Sequence, residues 1–528
     1  MQNKKLGLSG FTYKDLFSPQ GLQKLDTEFL QHLEQLDTEL HEKLIDYRNN
    51  SVTGDSLQTS QLILSCAPVL ETFIAELFEI SDEISDSKEK TLSHNPVVAF
   101  KKTFVLRRAR RRLLKKEEFE TFSELNSWLE KTLIKHALDP HDQELAVSML
   151  GEQLLSDQEN NKDQIEMLTR WCIRAMTTAE GQSAVKNWVC FKLPGGLDYK
   201  ALVPAETRPD DKFNRLQGIP VNNRPRDGFK LTDKRMNARQ VQNEINYCVF
   251  CHKNEGDYCS NGFHEKKGEP DKGFKKNPLG VTLTGCPLGE KISEMHSLKR
   301  DGHTIAALAT IMIDNPMCPS TGHRICNDCM KGCIYQKQEP VNIPEIETRC
   351  LTDVLALPWG VEIYDLLTRW NPLRQKQWLP KPYNGLKVLI TGMGPSGFTL
   401  AHHLLMEGFA VVGTDGLKIE PLPQSLIDTP IENYRDIEEQ LDERIMTGFG
   451  GVTEYGITVR WDKNFLKLIY LTLMRRPCFQ VFGAVRFGGT VTTEDAWEMG
   501  FDHIAIAVGA GLPQALPVPG ISSSSLRF

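Results

Sequence analysis

Residues 248–333 contain eight of the chain's thirteen cysteines, and their spacing is typical of metal ligands. In chain order they are Cys248, Cys251, Cys259, Cys286, Cys318, Cys326, Cys329 and Cys333. Clustered thiolates are soft ligands that bind zinc or iron–sulfur clusters. Cys-x2-Cys pairs separated by a loop are ordinary zinc ligands. The total of eight, the two Cys-Pro dipeptides and the tight final run Cys326-x2-Cys329-x3-Cys333 favour two 4Fe–4S clusters.

A second motif that could bind a ligand begins at Gly392. The apolar run 386–391 has the length of a β-strand, and a glycine-rich turn and a predicted helix follow it. Strand, turn and helix in this order are the context in which G-x-G-x-x-G binds a dinucleotide. The predicted pyrophosphate-binding residues are Gly392, Met393, Gly394, Pro395, Ser396 and Gly397. A second strand ends near Asp415, which is expected to accept a hydrogen bond from a ribose hydroxyl or, alternatively, to start a turn with Gly416.

Composition and charge place the chain among ordinary globular proteins. Of its 528 residues, 40% are hydrophobic and 25% are charged, and the length allows two to four domains. The formal net charge of −7 gives no general attraction to nucleic acid or membranes. The sequence shows no secretory signal and no run of about 18 uninterrupted apolar residues that would span a membrane. A cytoplasmic location is expected, where clustered thiols bind metal rather than form disulfides. The other cysteines are interpreted as small buried residues: Cys66, Cys172, Cys190, Cys350 and Cys478.

The hydrophobic pattern predicts an α-helical region followed by an α/β segment. One long amphipathic helix is expected over residues 22–47. The predicted fold combines an N-terminal all-helical region, a helical ferredoxin-like 4Fe–4S domain and a partial Rossmann-like dinucleotide-binding domain. The corresponding ranges are 1–192 for a helical domain of unknown role, 193–239 for an irregular connector, 240–350 for the two-cluster domain, 351–384 for a second connector and 385–528 for the incomplete Rossmann-like domain.

The run 101–116 carries nine basic residues and no acidic residue. Such a run could bind an anionic partner or nucleic acid. The preferred interpretation is a solvated helix face balanced by the acidic neighbours Glu117, Glu118 and Glu120, since surface charge runs usually have this role. No nucleic-acid partner is therefore expected.

Residues 240–520 resemble the N-terminal half that the small subunit of bacterial glutamate synthase shares with dihydropyrimidine dehydrogenase. The matching pieces are Cys248-x2-Cys251 with Cys259, Cys286-Pro287-x4-Ile292, Asn315-Pro316, the run 323–333, Val341-Asn342-Ile343, Ile346-Glu347 and the G-x-G-P-S-G turn. Members of this family use FAD and NADPH and carry two 4Fe–4S clusters. The resemblance implies one cluster held by Cys248, Cys251, Cys259 and Cys333, and a second held by Cys286, Cys326 and Cys329. The sequence departs from the family in a long insertion before Cys286 and in the additional Cys318, which is the expected fourth ligand of the second cluster.

The resemblance continues into the dinucleotide segment, where it implies FAD as the ligand of the turn. Residues 448–457 are similar to the loop after the flavin site, and residues 502–520, which include Gly509, are similar to the strand and turn that close the first flavin segment. In the family an NADPH-binding domain follows, but the sequence contains no second G-x-G-x-x-[GA] motif. The expected NAD(P)H site therefore lies on a missing C-terminal half or on a separately encoded chain.

Together these features predict a component of an electron-transfer oxidoreductase. Electrons would pass between NAD(P)H, FAD and two 4Fe–4S clusters to an unidentified acceptor protein or subunit. No side chain is assigned as a general acid or base, because the cofactors carry the redox chemistry. The chain alone is expected to be inactive. The alternative is a non-catalytic, zinc-stabilised helical binding module whose basic segment docks a partner.

Overall fold

The computed structural model describes residues 4–49, 56–113, 119–219, 234–254, 256–266, 269–322, 326–441, 443, 447–455 and 461–510. Over these residues the protein is a mixed helix-and-sheet structure with a helical N-terminal region and a small parallel sheet near its C-terminal end.

The elements follow one another along the chain in three groups. The N-terminal helices are α1 (Pro19–Leu36), α2 (Thr38–Arg48), α3 (Ser56–Phe78), α4 (Ser81–Leu92), α5 (Asn95–Phe100), α6 (Arg110–Arg112), α7 (Phe122–Lys135), α8 (Gln143–Ser156), α9 (Lys162–Thr177) and α10 (Ala179–Ala184). The middle group contains β1 (Ala205–Thr207), β2 (Leu216–Gly218), α11 (Ala238–Tyr247), α12 (Tyr258–Asn261), α13 (Ile292–Arg300), α14 (Thr304–Asp314), α15 (Asp328–Gly332), α16 (Ile343–Leu355) and α17 (Gly360–Arg369). The last group contains β3 (Lys387–Thr391), α18 (Pro395–Met406), β4 (Ala410–Thr414), α19 (Gln424–Asp428), α20 (Val452–Tyr455), α21 (Asn464–Met474), β5 (Phe479–Phe482), α22 (Thr493–Glu498) and β6 (His503–Ile506).

The apolar stripe over residues 22–47 forms two helices, so the prediction of one long helix is wrong. Asp37 separates α1 from α2 with an extended backbone, at φ −157° and ψ 97°. Its carboxylate accepts a hydrogen bond from the N–H of Leu40 at 2.9 Å. Asp37 is thus the N-cap of α2, a position that aspartate favours because it satisfies a backbone donor at the start of a helix.

Two hydrophobic cores divide the N-terminal helical region. Residues 6–80 share a large core with residues 240–350, the cysteine-rich region, and with residues 385–510, the sheet segment. Residues 97–190 form a core of their own. Glu71 of α3 is buried, and its carboxylate accepts hydrogen bonds from the N–H groups of Ile305 and Ala306 at 2.7 and 3.1 Å. These donors have no partner within α14, because the first N–H groups of a helix never do. The first N-terminal helices are therefore packed as part of the cysteine-rich unit.

Among the described residues, α3 is the one helix whose length and composition would allow it to cross a membrane. Within its most apolar window, 56% of the residues are buried inside the protein. Buried core helices pass the same test, and α3 packs on α13 and α14 as a core helix does.

The basic run 101–116 begins on a π-helical stretch, Lys101–Ala109, between α5 and α6. The ammonium group of Lys101 donates hydrogen bonds to Asn243 and to the carbonyl of Lys192, and burial lowers the pKa of Lys101 to about 8. Arg112 forms an ion pair with Glu166 at 2.8 Å. Of the predicted acidic partners, Glu120 pairs instead with Arg170, and Glu117 and Glu118 lie outside the described residues. Part of this run is therefore structural.

Residues 351–384 include the helix α17, which lies in the large core. Every residue from 360 to 374 is buried. Glu362 and Asp365 of α17 form buried ion pairs with Arg475 at 3.0 and 2.9 Å. Glu362 and Asp365 can be buried because Arg475, more than a hundred residues away in sequence, pairs with both carboxylates.

The parallel sheet has the strand order β5-β4-β3-β6. Val388 of β3 pairs with Val411 of β4 on one side and with His503 of β6 on the other. The central strand β3 is thus the first strand of the sheet in sequence, and the chain moves outward from it in both directions. The carboxyl end of β3 leads directly into the glycine-rich turn and α18.

Candidate functional site

Four cysteines from three separate segments line one narrow cavity. The cysteines of this first set are Cys248, Cys251, Cys259 and Cys333. Val249, Ile334, Tyr335, Val341, Ile343, Ser293 and His296 complete the lining. The structure thus brings together the four residues that the resemblance assigns to one cluster.

Local backbone geometry places the first set. Cys248 follows α11, and the N–H of Phe250 donates to its sulfur at 3.3 Å. Phe250 has a left-handed backbone with φ 52°, so the chain turns sharply between Cys248 and Cys251. A Cβ atom on Gly332 would lie 2.7 Å from the carbonyl oxygen of Tyr258. Glycine at this position therefore lets α15, and Cys333 after it, approach the segment that carries Cys259.

Burial keeps the thiols of the first set protonated in the absence of metal. It raises the pKa of Cys248 to about 12 and that of Cys251 to about 11. The pKa of Cys259 is raised well above its ordinary value by burial and by the charge of Asp257, to which its thiol donates a hydrogen bond at 3.4 Å. Binding of metal as thiolates would therefore release protons.

A second set of thiols lies among buried acidic groups. It consists of Cys286, Cys326 and Cys329. The pKa of Cys329 is raised well above its ordinary value by burial, by the charges of Glu347 and Glu290, and by Cys286 and Cys326. Glu347 and Glu290 also raise the pKa of Cys286 and Cys326. The three thiols therefore share one environment with two carboxyl groups.

Glu347 is a site residue whose role the sequence analysis left unassigned. Its carboxyl group is buried in α16 and accepts a hydrogen bond from the Thr321 hydroxyl at 2.8 Å. Burial raises its pKa to about 7, although the Thr321 hydrogen bond acts in the opposite direction. One feature of the sequence could have indicated this role: Glu347 is an acidic residue on an apolar helix face, between Ile346 and the buried Cys350.

Cys318 lies beside the second set and opens a 3-10 turn, Cys318–Ser320. Its pKa is raised well above the ordinary value by burial and then by the charges of Glu347, Glu290 and Cys350. Cys350 is thus the cysteine that raises the pKa of Cys318, whereas Cys286 and Cys326 raise the pKa of Cys329. The adjoining predicted motif residues His323, Arg324 and Ile325 lie outside the described residues.

The 3-10 turn at Cys318 faces the sheet segment. The 3-10 turn that begins at Cys318 packs against α21, the helix that precedes β5. The indole N–H of Trp461, just before α21, donates to the carbonyl of Pro319 at 2.9 Å. The cysteine-rich region and the sheet segment are therefore in contact at the Cys318 turn.

The glycines of the turn after β3 have different constraints. Gly392 has φ 101°, and a Cβ atom on it would lie 2.2 Å from the carbonyl oxygen of Ala507. A Cβ atom on Gly397 would lie 1.9 Å from the carbonyl oxygen of Gly392. The nearest atom to a Cβ on Gly394 is 3.8 Å away, in Gly451. Gly392 and Gly397 are thus required by the fold, whereas Gly394 leaves space beside the backbone.

Asp415 closes the turn from the end of β4. Its carboxylate accepts hydrogen bonds from the N–H groups of Met393 at 2.8 Å and Leu417 at 2.9 Å. Asp415 therefore connects the ends of β3 and β4. The alternative prediction, a turn that starts at Asp415 with Gly416, described only part of this role. Each carboxylate oxygen keeps a lone pair for a further donor.

The remaining predicted dinucleotide residues lie around the same edge of the sheet. Pro395 and Ser396 are exposed at the first turn of α18, and Gly509 is exposed after β6 with φ 68°. In the loop 448–455, Phe449 stacks on Tyr470 with 4.4 Å between ring centroids. Residues 456–457 and 511–520, which the resemblance also used, lie outside the described residues.

Within the described ranges, no group of three or more His, Cys, Asp and Glu side chains is arranged to hold a single metal ion. The thiols of the first set line a cavity instead. Ligands of a 4Fe–4S cluster bind separate irons of one cube, whereas ligands of a single zinc ion converge on one atom.

Residues 6–79 match a family model described as the RP005 N-terminal alpha-helical domain. The uncharacterized protein RP006 of Rickettsia prowazekii is 49% identical over 211 residues, which are 40% of this chain and 30% of the relative. The uncharacterized protein RP005 of the same organism is 28% identical over 293 residues, which are 53% of this chain and 93% of the relative. The alignments thus cover unequal parts of these relatives.

Part of the chain is also similar to glutamate synthases. The glutamate synthase [NADPH] small chain of Mycobacterium tuberculosis is 26% identical over 238 residues, 45% of this chain and 39% of the relative. The glutamate synthase [NADH] of Schizosaccharomyces pombe is 25% identical over 252 residues, 46% of this chain and 10% of the relative. The chain is therefore distantly related to an oxidoreductase family. It spans less than two fifths of the length of RP006 and of both glutamate synthases.

Proposed function

We propose that this chain transfers electrons between a dinucleotide at the glycine-rich turn and two iron–sulfur clusters held by the cysteines. One observation carries the proposal: four thiols that are distant in sequence line a single buried cavity. The distant relationship to glutamate synthases supports the same type of chemistry.

The first set fits a 4Fe–4S cluster by the chemistry of its donors. Four thiols are present, as a cubane cluster needs, and the rest of the cavity wall is apolar or uncharged. A wall of this kind limits access of water to a cluster and helps to set its potential. Cys248, Cys251, Cys259 and Cys333 would hold this cluster.

Cys286, Cys326 and Cys329 would hold the second cluster, and the fourth position has two candidates. After burial, the charge of Glu347 raises the pKa of all three thiols, and its own carboxyl group is buried. The pKa of Cys318 is raised by burial, then by the same two carboxyl groups, Glu347 and Glu290, and then by Cys350. We propose Glu347 as the fourth ligand, with Cys318 as the alternative.

The sheet segment fits a Rossmann-like dinucleotide site. The first strand is central, the second and third lie to one side and the fourth to the other, and the glycine-rich turn follows the first strand. In such sheets the ligand binds at the carboxyl ends of the strands, where the connections change direction. The space beside Gly394 and the exposed start of α18 suit a pyrophosphate, whose charge the helix N-terminus would stabilise.

FAD is the proposed dinucleotide, because a flavin can exchange a hydride with NAD(P)H and single electrons with iron–sulfur clusters. The chain's own residues would position these groups. Asp415 holds the turn, and the contact of Trp461 with Pro319 holds the Cys318 turn against the sheet segment. The proposed order is dinucleotide, second set, first set.

The partners and the location remain part of the proposal. The NAD(P)H site is proposed to lie outside the described residues or on another chain, and a redox protein or subunit is the proposed acceptor. A cytoplasmic location and the absence of a nucleic-acid partner are kept as expectations from sequence.

Cofactor analysis of protein purified without oxygen tests the proposal. About eight irons and eight labile sulfides per chain are expected for two 4Fe–4S clusters. Reconstitution with FAD should give a bound flavin whose absorption is separable from the broad cluster absorption. A colourless protein with two zinc ions and no iron would overturn the proposal in favour of the zinc-stabilised binding module.

A further inference from the structure

His296 lies in the wall of the first cysteine cavity with no hydrogen-bond partner for either ring nitrogen. It belongs to α13, is 1% exposed and lines the cavity together with the four cysteines of the first set. Neither Nδ1 nor Nε2 has a partner among the described residues. Burial and the nearby charge of His252 lower the pKa of His296 to about 3.

A neutral imidazole always carries one N–H group, whichever tautomer it adopts. A buried donor without an acceptor is unfavourable, and such groups in native proteins call for an explanation. The wall around His296 supplies no oxygen acceptor to its ring. The sulfur atoms at the cavity are therefore the acceptors within reach of the His296 N–H group.

His252 provides an internal contrast. It follows Cys251 and is also buried, but its Nδ1 pairs with the hydroxyl of Ser293 at 2.6 Å. Ser293 and His296 are three residues apart on α13, so they share one face of the helix. Ser293 therefore provides a hydrogen-bond partner for His252, whereas His296 lines the cavity without one among the described residues.

We infer that His296 is a positioning residue that donates a hydrogen bond to a sulfur atom of the first cluster and thereby raises its reduction potential. Reduction adds negative charge to a cluster, and an N–H donor at sulfur stabilises that charge. This inference rests on the proposed function, since it requires an iron–sulfur cluster in the first set.

The test is a potentiometric titration of the complete chain, followed by electron paramagnetic resonance. The Cys251→Ser variant identifies the signal of the first cluster as the one it loses. In His296→Leu, iron content should be unchanged, and the reduced-to-oxidised ratio of that signal at fixed solution potential should fall about three- to tenfold, as for loss of one hydrogen bond. A tenfold change corresponds to about 59 mV for a one-electron couple.

Conservative variants separate the hydrogen bond from packing. His296→Asn and His296→Gln each keep an amide N–H group near one of the two ring nitrogens, and one of them should restore at least half of the shift. The exchangeable-proton coupling of the first-cluster signal should disappear in His296→Leu and return in the restoring variant. An equal shift in all three variants would mean a packing effect and would overturn the inference.

His402 is a matched control, because it is also buried, finds no partner for either ring nitrogen within the part of the chain that the structure describes, and lies in α18. His402→Leu should leave the first-cluster potential unchanged. Loss of iron in His296→Leu would make His296 a ligand and overturn the proposed role, as would an unshifted potential with full iron content. Absence of iron and sulfide from the unsubstituted protein would instead contradict the proposed function itself.

Discussion

The cysteine-rich region and the glycine-rich turn place their functional groups in opposite ways. The cysteines of the first set line a narrow, largely buried cavity, and burial raises the pKa of their thiols. The turn after β3 presents backbone at the surface, with Pro395 and Ser396 exposed. The buried thiols would be stabilised by a bound ligand. The turn needs no ligand to keep its shape, because the N–H of Met393 donates a hydrogen bond to Asp415. Stability should therefore depend on the ligand in the first region and not in the second.

The largest expected effect is the loss of one cluster from the cysteine-rich region. Cys251→Ser and Cys329→Ser should each lower the iron content by about half, because each removes one ligand of one four-iron cluster. Each variant should also unfold at lower temperature, since metal binding contributes to the folding free energy of such regions. Iron analysis and thermal unfolding measure both outcomes.

Cys478→Ser is the control for these substitutions, because Cys478 is half-buried beside the sheet and belongs to neither set. Its iron content should equal that of the unsubstituted protein. Full iron content in Cys329→Ser would remove Cys329 from the second set. Complete iron loss in either variant would show that the two sets act as one unit.

A smaller effect distinguishes the two candidates for the fourth ligand of the second set. Glu347→Ala should alter the resonance signal that Cys329→Ser abolishes, because a carboxylate ligand is replaced by solvent. Cys318→Ser should leave that signal and the iron content unchanged. The opposite pattern would restore Cys318 as the fourth ligand and leave Glu347 as a hydrogen-bonded neighbour of Thr321.

The resemblance predicted which cysteines of the first set lie together, but not the residues around them. Cys248, Cys251, Cys259 and Cys333 come together as the resemblance implied, although whether they bind a cluster stays a prediction. Glu347 and His296 were not assigned as site residues because their roles depend on contacts between helices. A single buried polar residue on an apolar helix face does not change the periodicity that sequence analysis reads.

The same limit explains the differences in the fold. The periodic stripe predicted helix over residues 22–47 and missed the break at Asp37, which a capping hydrogen bond decides. The central position of α17 depends on the pairing of Glu362 and Asp365 with Arg475, which lies on a distant segment. The strand–turn–helix order around Gly392 was predictable, because all of its constraints are local.

Alanine substitutions should separate the structural from the ligand-binding glycines of the turn. Gly397→Ala should be strongly destabilising, because its Cβ atom would lie 1.9 Å from a backbone oxygen. Gly394→Ala should change the unfolding temperature little, since its nearest neighbour is 3.8 Å away, but should weaken FAD binding about tenfold or more by occupying the space for the pyrophosphate. Flavin fluorescence titration and thermal unfolding give the two values. Gly196→Ala, at an open position away from the sheet, is the control, and equal FAD affinity in Gly394→Ala would exclude the turn as the binding site.

The smallest expected effect concerns Asp415, which has one role in the fold and a second proposed role in binding. Asp415→Asn keeps one carbonyl oxygen, so it can retain only one of the two backbone hydrogen bonds to Met393 and Leu417 with its normal geometry. The expected loss of stability is about 1 kcal/mol, the typical net value of one hydrogen bond. If the carboxylate also accepts a ribose hydroxyl, FAD affinity should fall severalfold under conditions in which both variants are fully folded. An affinity equal to that of the unsubstituted protein would restrict Asp415 to closing the turn, and the glycine-rich turn would then rely on its backbone alone.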